Sequence, residues 1–233
     1  MKYGRLPAKR GVAQTLSKYT RAIALPPPPV TCKPPNIVWP MDLNNQLGDC
    51  VIAAVAHCIQ RWNGAVLTND RVLALYEQLG GYNPADPNTD RGCVETDVLT
   101  SWINGSIPEN KLSAFVSLNI SDLDELRDAI NWFGIVYLGI NCPQSAESNT
   151  VVWDVVEGSP ILGGHAVILV GYDADFFYVV SWGMLIATTP AFIAKYTEEA
   201  YALLDTAWLQ ANNLTPSGFD LAQLQQDMDE LKS

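Results

Sequence analysis

The chain has 233 residues, a formal net charge of −11 and 48% hydrophobic residues, with 7 Trp and 9 Tyr. That composition supports a sizeable buried core and excludes global disorder, and its apolar runs fall far short of the ~20 residues that span a bilayer. Five scattered cysteines (Cys32, Cys50, Cys58, Cys93, Cys142) without a C-x-x-C pair argue against both a zinc site and a disulfide scaffold. No cofactor is expected.

Residues 1–40 read as an arm. They hold seven Lys/Arg (Lys2, Arg5, Lys9, Arg10, Lys18, Arg21, Lys33), no Asp or Glu, and eight of the 15 prolines. The other residues carry 7 basic and 25 acidic side chains, a net charge of −18. The run Pro26 to Pro29 is expected to be extended polyproline II. A basic arm on an acidic body either packs back on its own domain or reaches an acidic protein surface. With one early aromatic, Tyr3, and no recognised motif, it is not expected to bind nucleic acid. MKYGRLPAKRG carries no following apolar segment, so the expected location is cytoplasmic or virion-associated.

The body, 41–233, divides into a helical part at about 41–134, a β-rich part at about 135–190 and C-terminal helices at about 191–233. Asp49 is placed to cap a helix from Cys50 to about Trp62, closed by Asn63-Gly64. Thr68 opens a second helix, stopped at Gly80-Gly81; YNPADPNTDRG is loop; Glu95 to Ile103 is a short helix. Ser121 with Asp124 resembles a capping box for LDELRDAINWF, ended by Gly134. IVYLGIN, VVWDVV, HAVILVGY and FFYVVSW read as strands, the last two joined across Asp173-Ala174-Asp175. After Pro190 the pattern returns to helix in TEEAYALLDTAWL and again from Asp220 to Leu231. An α-rich half followed by a β-rich half predicts an α+β fold with a cleft between them.

The chemistry concentrates on two residues. A thiol at the first turn of a helix, Cys50, meets free backbone N–H groups and the positive end of the dipole, which favour thiolate. His165, after Gly163-Gly164 at the start of a strand, is the matching base, able to hold the thiolate as an ion pair and then protonate a leaving group. The only other histidine, His57, lies two helical turns from Cys50, roughly 10 Å along the axis and too far for a hydrogen bond.

Read together, LGDC followed by an apolar, Ala-rich helix resembles the nucleophile helix of calpains. GGHAVILVGYD followed by a strand ending in SWG resembles the His strand and Asn-Ser-Trp-Gly corner of papains. The chain is thus similar to the papain-like cysteine peptidase superfamily, and also resembles papain-like proteins carried by bacteria and phages. The resemblance spans roughly residues 42–184. It implies a helical lobe bearing the cysteine, an antiparallel β lobe bearing the histidine, and hydrolysis of peptide or amide bonds in a peptide or protein substrate.

The resemblance also marks two departures. The family's oxyanion-binding Gln lies six residues before the nucleophile, where this chain has Asn44; Gln46 lies four before. Spacing favours Asn44 and residue type favours Gln46. The family's orienting Asn immediately precedes Ser-Trp-Gly, and Val180 occupies that place. Ser181 would face the opposite side of its strand unless a bulge intervenes, and Asp173 or a carbonyl could orient the ring instead. Trp182 would shield the pair from water. The expected function is a Cys50–His165 thiol hydrolase; the alternative is a papain-like fold of weak or no activity kept as a binding or structural component, for example of a phage particle.

Overall fold

A computed structural model describes residues 1–9, 13–20, 27–205 and 207–208 of the chain. The helices α1 (Ser17–Thr20), α2 (Cys50–Asn63), α3 (Asn69–Gly80) and α4 (Glu95–Ile103) come first. Then follow β1 (Ala114–Ser117), α5 (Leu123–Phe133), β2 (Val136–Pro143), α6 (Gln144–Ser148) and β3 (Val152–Trp153). The series closes with β4 (Ile161–Tyr172), β5 (Phe177–Ser181), β6 (Met184–Thr188), α7 (Pro190–Tyr196) and β7 (Thr197–Leu204). The seven strands form one sheet in the order β1-β7-β2-β4-β5-β6-β3. Its pairs are antiparallel except β3 with β6. The fold is α+β, and no described helix is long and apolar enough to cross a membrane.

Helix α2 is the central support. Val51, Ile52, Val55, Cys58 and Ile59 are fully buried, because the helix packs against β4 on one side and against α3 and α4 on others. Tyr137 on β2 donates its hydroxyl to the Val51 carbonyl at 2.7 Å, which pins the first turn of α2 to the sheet. Gly64, at φ 77°, closes the helix in the left-handed conformation that favours glycine.

Several sequence expectations are corrected. Asp49 precedes α2, but its side chain makes no capping bond; burial turns its carboxylate toward Asn44 instead. The cap of α5 is Asp122, not Ser121, with its carboxylate accepting from the Asp124 and Glu125 N–H groups. The VVWDVV strand shrinks to the two residues of β3. Most consequentially, TEEAYALL is strand β7 rather than helix, paired with β1 and β2 on either side. Its Ala, Leu and Glu residues favour a helix intrinsically, but a helix would leave two strand edges unpaired, and tertiary pairing overrides local propensity. Residues 27–29 of the proline run carry neither helix nor strand. The segment Asp220 to Leu231 lies outside the described residues.

The arm's described parts lie on the body. Gln14 and Leu16 exchange backbone bonds with Ser117 on β1, Cys32 exchanges two with Tyr172, and Gln60 of α2 donates to the Val38 carbonyl. Lys9 of the arm pairs with Asp97 of the body at 2.7 Å.

Candidate active site

Cys50 heads α2 directly beneath β4. Its sulfur accepts the backbone N–H of Ala166, the residue after His165, at 3.4 Å. His165 is fixed by two neighbours. Its Nε2 lies 2.8 Å from Ser181 Oγ, and its ring stacks on Trp182 with centroids 4.6 Å apart and planes 19° from parallel. Its Nδ1 is buried and has no hydrogen-bond partner among the described residues.

The strand register explains why Ser181, and not Val180, meets the imidazole. Across β4 and β5, Tyr172 opposes Phe177 and Gly171 opposes Tyr178, but Leu169 opposes Val179 and Ile168 opposes Val180. The register shifts by one at Val170. Without that bulge Val180 would share the face of His165; with it, Val180 pairs on the opposite face and Ser181 turns toward the ring. Beyond Ser181 a two-residue turn to Met184 has both central residues at positive φ, Trp182 at 49° and Gly183 at 70°. That is the pattern of a type I′ hairpin, and it folds the Trp182 indole over His165.

Of the oxyanion candidates, Asn44 is buried and donates its Nδ2 to the Leu47 carbonyl at 3.3 Å and to Asp49 Oδ1 at 3.2 Å. Gln46 is exposed. Both lie in a loop that begins with two non-glycine residues at positive φ, Asp42 at 52° and Leu43 at 67°. His57 braces this loop: its Nε2 is 2.9 Å from the Pro40 carbonyl and 3.2 Å from Asp42. Asp173 binds the N–H groups of its own turn and the Tyr178 hydroxyl, so it does not orient His165.

The arm packs back on its own domain, one of the two expected arrangements, and it does so along the cleft at Cys50. Gly4 passes so close to Gly48 that a Cβ on Gly4 would lie 1.6 Å from the Gly48 oxygen. The Gly4 carbonyl accepts from Cys93 N–H at 2.7 Å, Leu6 N–H donates to the Cys93 carbonyl at 2.8 Å, and Arg5 N–H donates to the Gly164 carbonyl at 3.0 Å. Tyr3 sets its ring edge-on to both His165 and Trp182, 5.9 and 6.1 Å between centroids. Arg5 is buried in an ion-pair cluster with Glu198 and Glu199. The one signal for this in the sequence was the absence of any acid from the basic arm.

Under the arm the pair is uncharged. Complete burial pushes the Cys50 thiol up to about 12, only partly countered by the N–H groups of Ala166 and Gly4. Burial, and then the neighbouring Arg5 charge, lowers His165 to about 3. The expected thiolate–imidazolium ion pair is therefore absent from this arm-covered state, because desolvation outweighs the dipole of α2. Burial likewise raises Asp49 to about 8. No group of metal-ligating side chains occurs among the described residues.

No family model matches the sequence, and no curated protein does. Solved structures do share the fold. Xylellain, a cysteine protease from Xylella fastidiosa, superposes with a TM-score of 0.64 at 16% identity, over 88% of this chain and 96% of that one. Procathepsin B S9 from Trypanosoma congolense gives 0.57 at 12% identity, over 86% and 85%. The Carica candamarcensis cysteine protease CMS1MS2, solved with E-64, gives 0.52 at 15% identity, over 76% and 99%. The fold of this chain is papain-like.

Proposed function

We propose that the chain is a cysteine-dependent hydrolase of peptide or amide bonds, held latent by its own N-terminal residues. One observation carries this reading: the cleft across Cys50 already binds a peptide backbone, with hydrogen bonds from both of its walls. The papain-like fold and the fixed His165 ring support it. In the reaction, Cys50 Sγ gives its proton to His165 and attacks the substrate carbonyl carbon, forming an S–C bond. His165 then protonates the departing amine as the C–N bond breaks. His165 then takes a proton from water as the water oxygen adds to the acyl carbon, and returns it to sulfur as the S–C bond breaks and the carboxylic acid leaves. The Cys50 backbone N–H together with Asn44 or Gln46 would bind the oxyanion.

Labelling of the full chain by iodoacetamide tests the reading. In the wild type Cys50 and Cys58 are both buried, 1% and 0% exposed, and both react slowly. Gly4→Ala clashes with Gly48 and displaces the arm; Cys50 then reacts at least tenfold faster than Cys58, and adding His165→Ala removes the preference. Equal labelling of the two cysteines in Gly4→Ala would leave a papain-like fold used only as a binding component.

A further inference from the structure

The pocket that receives Arg5 is built for a guanidinium. Arg5 Nη1 donates to Glu199 Oε1 at 2.6 Å, and Nη2 donates to Glu198 Oε2 at 2.5 Å and to Asn141 Oδ1 at 3.3 Å. The acceptors are held in place by partners other than the arginine. Tyr201 donates its hydroxyl to the second Glu199 oxygen at 2.7 Å, and Asn141 Nδ2 donates to the second Glu198 oxygen at 2.6 Å. A third carboxyl, Glu95, is fully buried beside them, with neither oxygen hydrogen-bonded among the described residues. Gly139 makes the room: a Cβ there would lie 2.6 Å from Arg5 Cδ, 2.6 Å from Glu199 Cγ and 2.8 Å from Glu95 Oε1.

We propose that this pocket is a guanidinium-selective subsite of the cleft, taking the arginine side chain of a peptide substrate at the residue next to the one seated over Cys50. The assignment rests on the reading of the cleft as a hydrolase site. The backbone rails support it, since Cys93 and Gly164 offer their bonds to any extended guest, and those bonds aim one side chain beside the thiol into this pocket. A planar fork with several N–H donors satisfies acceptors on three side chains at once, whereas a lysine ammonium is a point charge on a flexible stem. An apolar guest would bury the carboxylates without a cation, so discrimination comes from the penalty on the wrong side chain as well as the gain from the right one. The arm's Arg5 occupies the subsite in place of substrate.

The test uses the full chain with Arg5→Ala, which vacates the pocket. In the Cys50→Ser background, blocked Tyr-Gly-Arg-Leu and its citrulline counterpart are titrated by calorimetry; residual competition from the arm weakens both alike. The arginine peptide is expected to bind at least tenfold tighter, and Glu199→Gln to reduce that ratio below threefold. Equal affinity for the two peptides overturns the proposal. With Cys50 intact, internally quenched peptides containing Tyr-Gly-Arg-Leu or Tyr-Gly-citrulline-Leu, which keep the Gly-Arg order of the arm, read turnover, and kcat/KM should differ in the same direction. Arginine-selective binding without turnover keeps the pocket and removes the hydrolase; turnover without selectivity does the reverse. Should Arg5→Ala fail to fold, Arg5→Lys, which leaves the fork unfilled, carries the same comparison.

Discussion

His165 is held by one hydrogen bond and one stacking contact, and the two divide its orientation between them. The indole of Trp182 fixes the plane of the ring, while Ser181 fixes its rotation by bonding Nε2. Nδ1 has no hydrogen-bond partner among the described residues, and in the proposed reaction it is the atom that exchanges a proton with Cys50. Removing the Ser181 hydroxyl leaves the plane intact and frees the rotation, at a cost of about 1–1.5 kcal/mol for a lost hydrogen bond. Ser181→Ala is therefore expected to lower kcat/KM about tenfold in an arm-displaced chain. Ser181→Asn, which restores a polar partner, should recover most of it, and the acidic limb of the pH–rate profile should move in the alanine variant and return in the asparagine one. An unchanged pH profile in Ser181→Ala would assign the serine to packing alone. The places of Cys50 at the head of α2 and of His165 on β4 were legible in the sequence, because a capped apolar helix and a continuous apolar run mark those elements. The direction of Asn44 was not, since it depends on the positive φ angles of Asp42 and Leu43, which no residue type there announces.

At the scale of elements, the site depends on two features that a strand pattern hides. The bulge at Val170 changes which face of β5 meets β4, and a continuous apolar run such as AVILV gives no sign of it because both faces are buried. Strand β7 is the second. Seven of its eight positions are buried, so its sequence lacks the alternation that identifies a half-exposed strand, and its alanines and leucines imitate a helix. Helices α3 and α4, by contrast, were readable because each has one dry face and the first ends in Gly81 at φ 69°. Proline tests the central place of β7 in the sheet. At Ala200, which pairs with Leu138 on β2, it disrupts a central strand, at a cost of about 3 kcal/mol or more. For a chain of this length that corresponds to a melting temperature lower by roughly 6–12 °C. Calorimetric melting of Ala200→Pro reads this directly; a shift within 2 °C would contradict the central place of β7.

For the whole molecule, the burial of His165 under the arm predicts a thermodynamic linkage between the arm and the proposed Cys50–His165 pair. The covered state keeps His165 neutral, lowered to about 3 by burial and then by Arg5, whereas a solvated imidazole takes up a proton near 6.5. A base whose covered value is lowered contributes stability that is present above 6.5 and lost progressively as pH falls toward 3. Because Tyr3 packs edge-on against the ring and the Arg5 charge disfavours the imidazolium, release of the arm is expected to let His165 charge. Neighbouring carboxyls act as well. Glu198, held below its usual range by Arg5 and then Asn141, adds a loss of the same sign only below about pH 4.5. Glu95, raised well above its usual value by burial and then by Glu199, acts oppositely. Comparison with His165→Gln isolates the imidazole. Between pH 7 and pH 4 the wild-type arm is expected to open more readily by up to about a hundredfold, or about 3 kcal/mol at roughly 1.4 kcal/mol per pH unit. Hydrogen exchange at the Gly4, Arg5 and Leu6 amides, corrected for intrinsic rates, should show that loss of protection in the wild type and a flat or reversed trend in His165→Gln. If both proteins follow the same curve, the arm is held independently of the protonation state of His165.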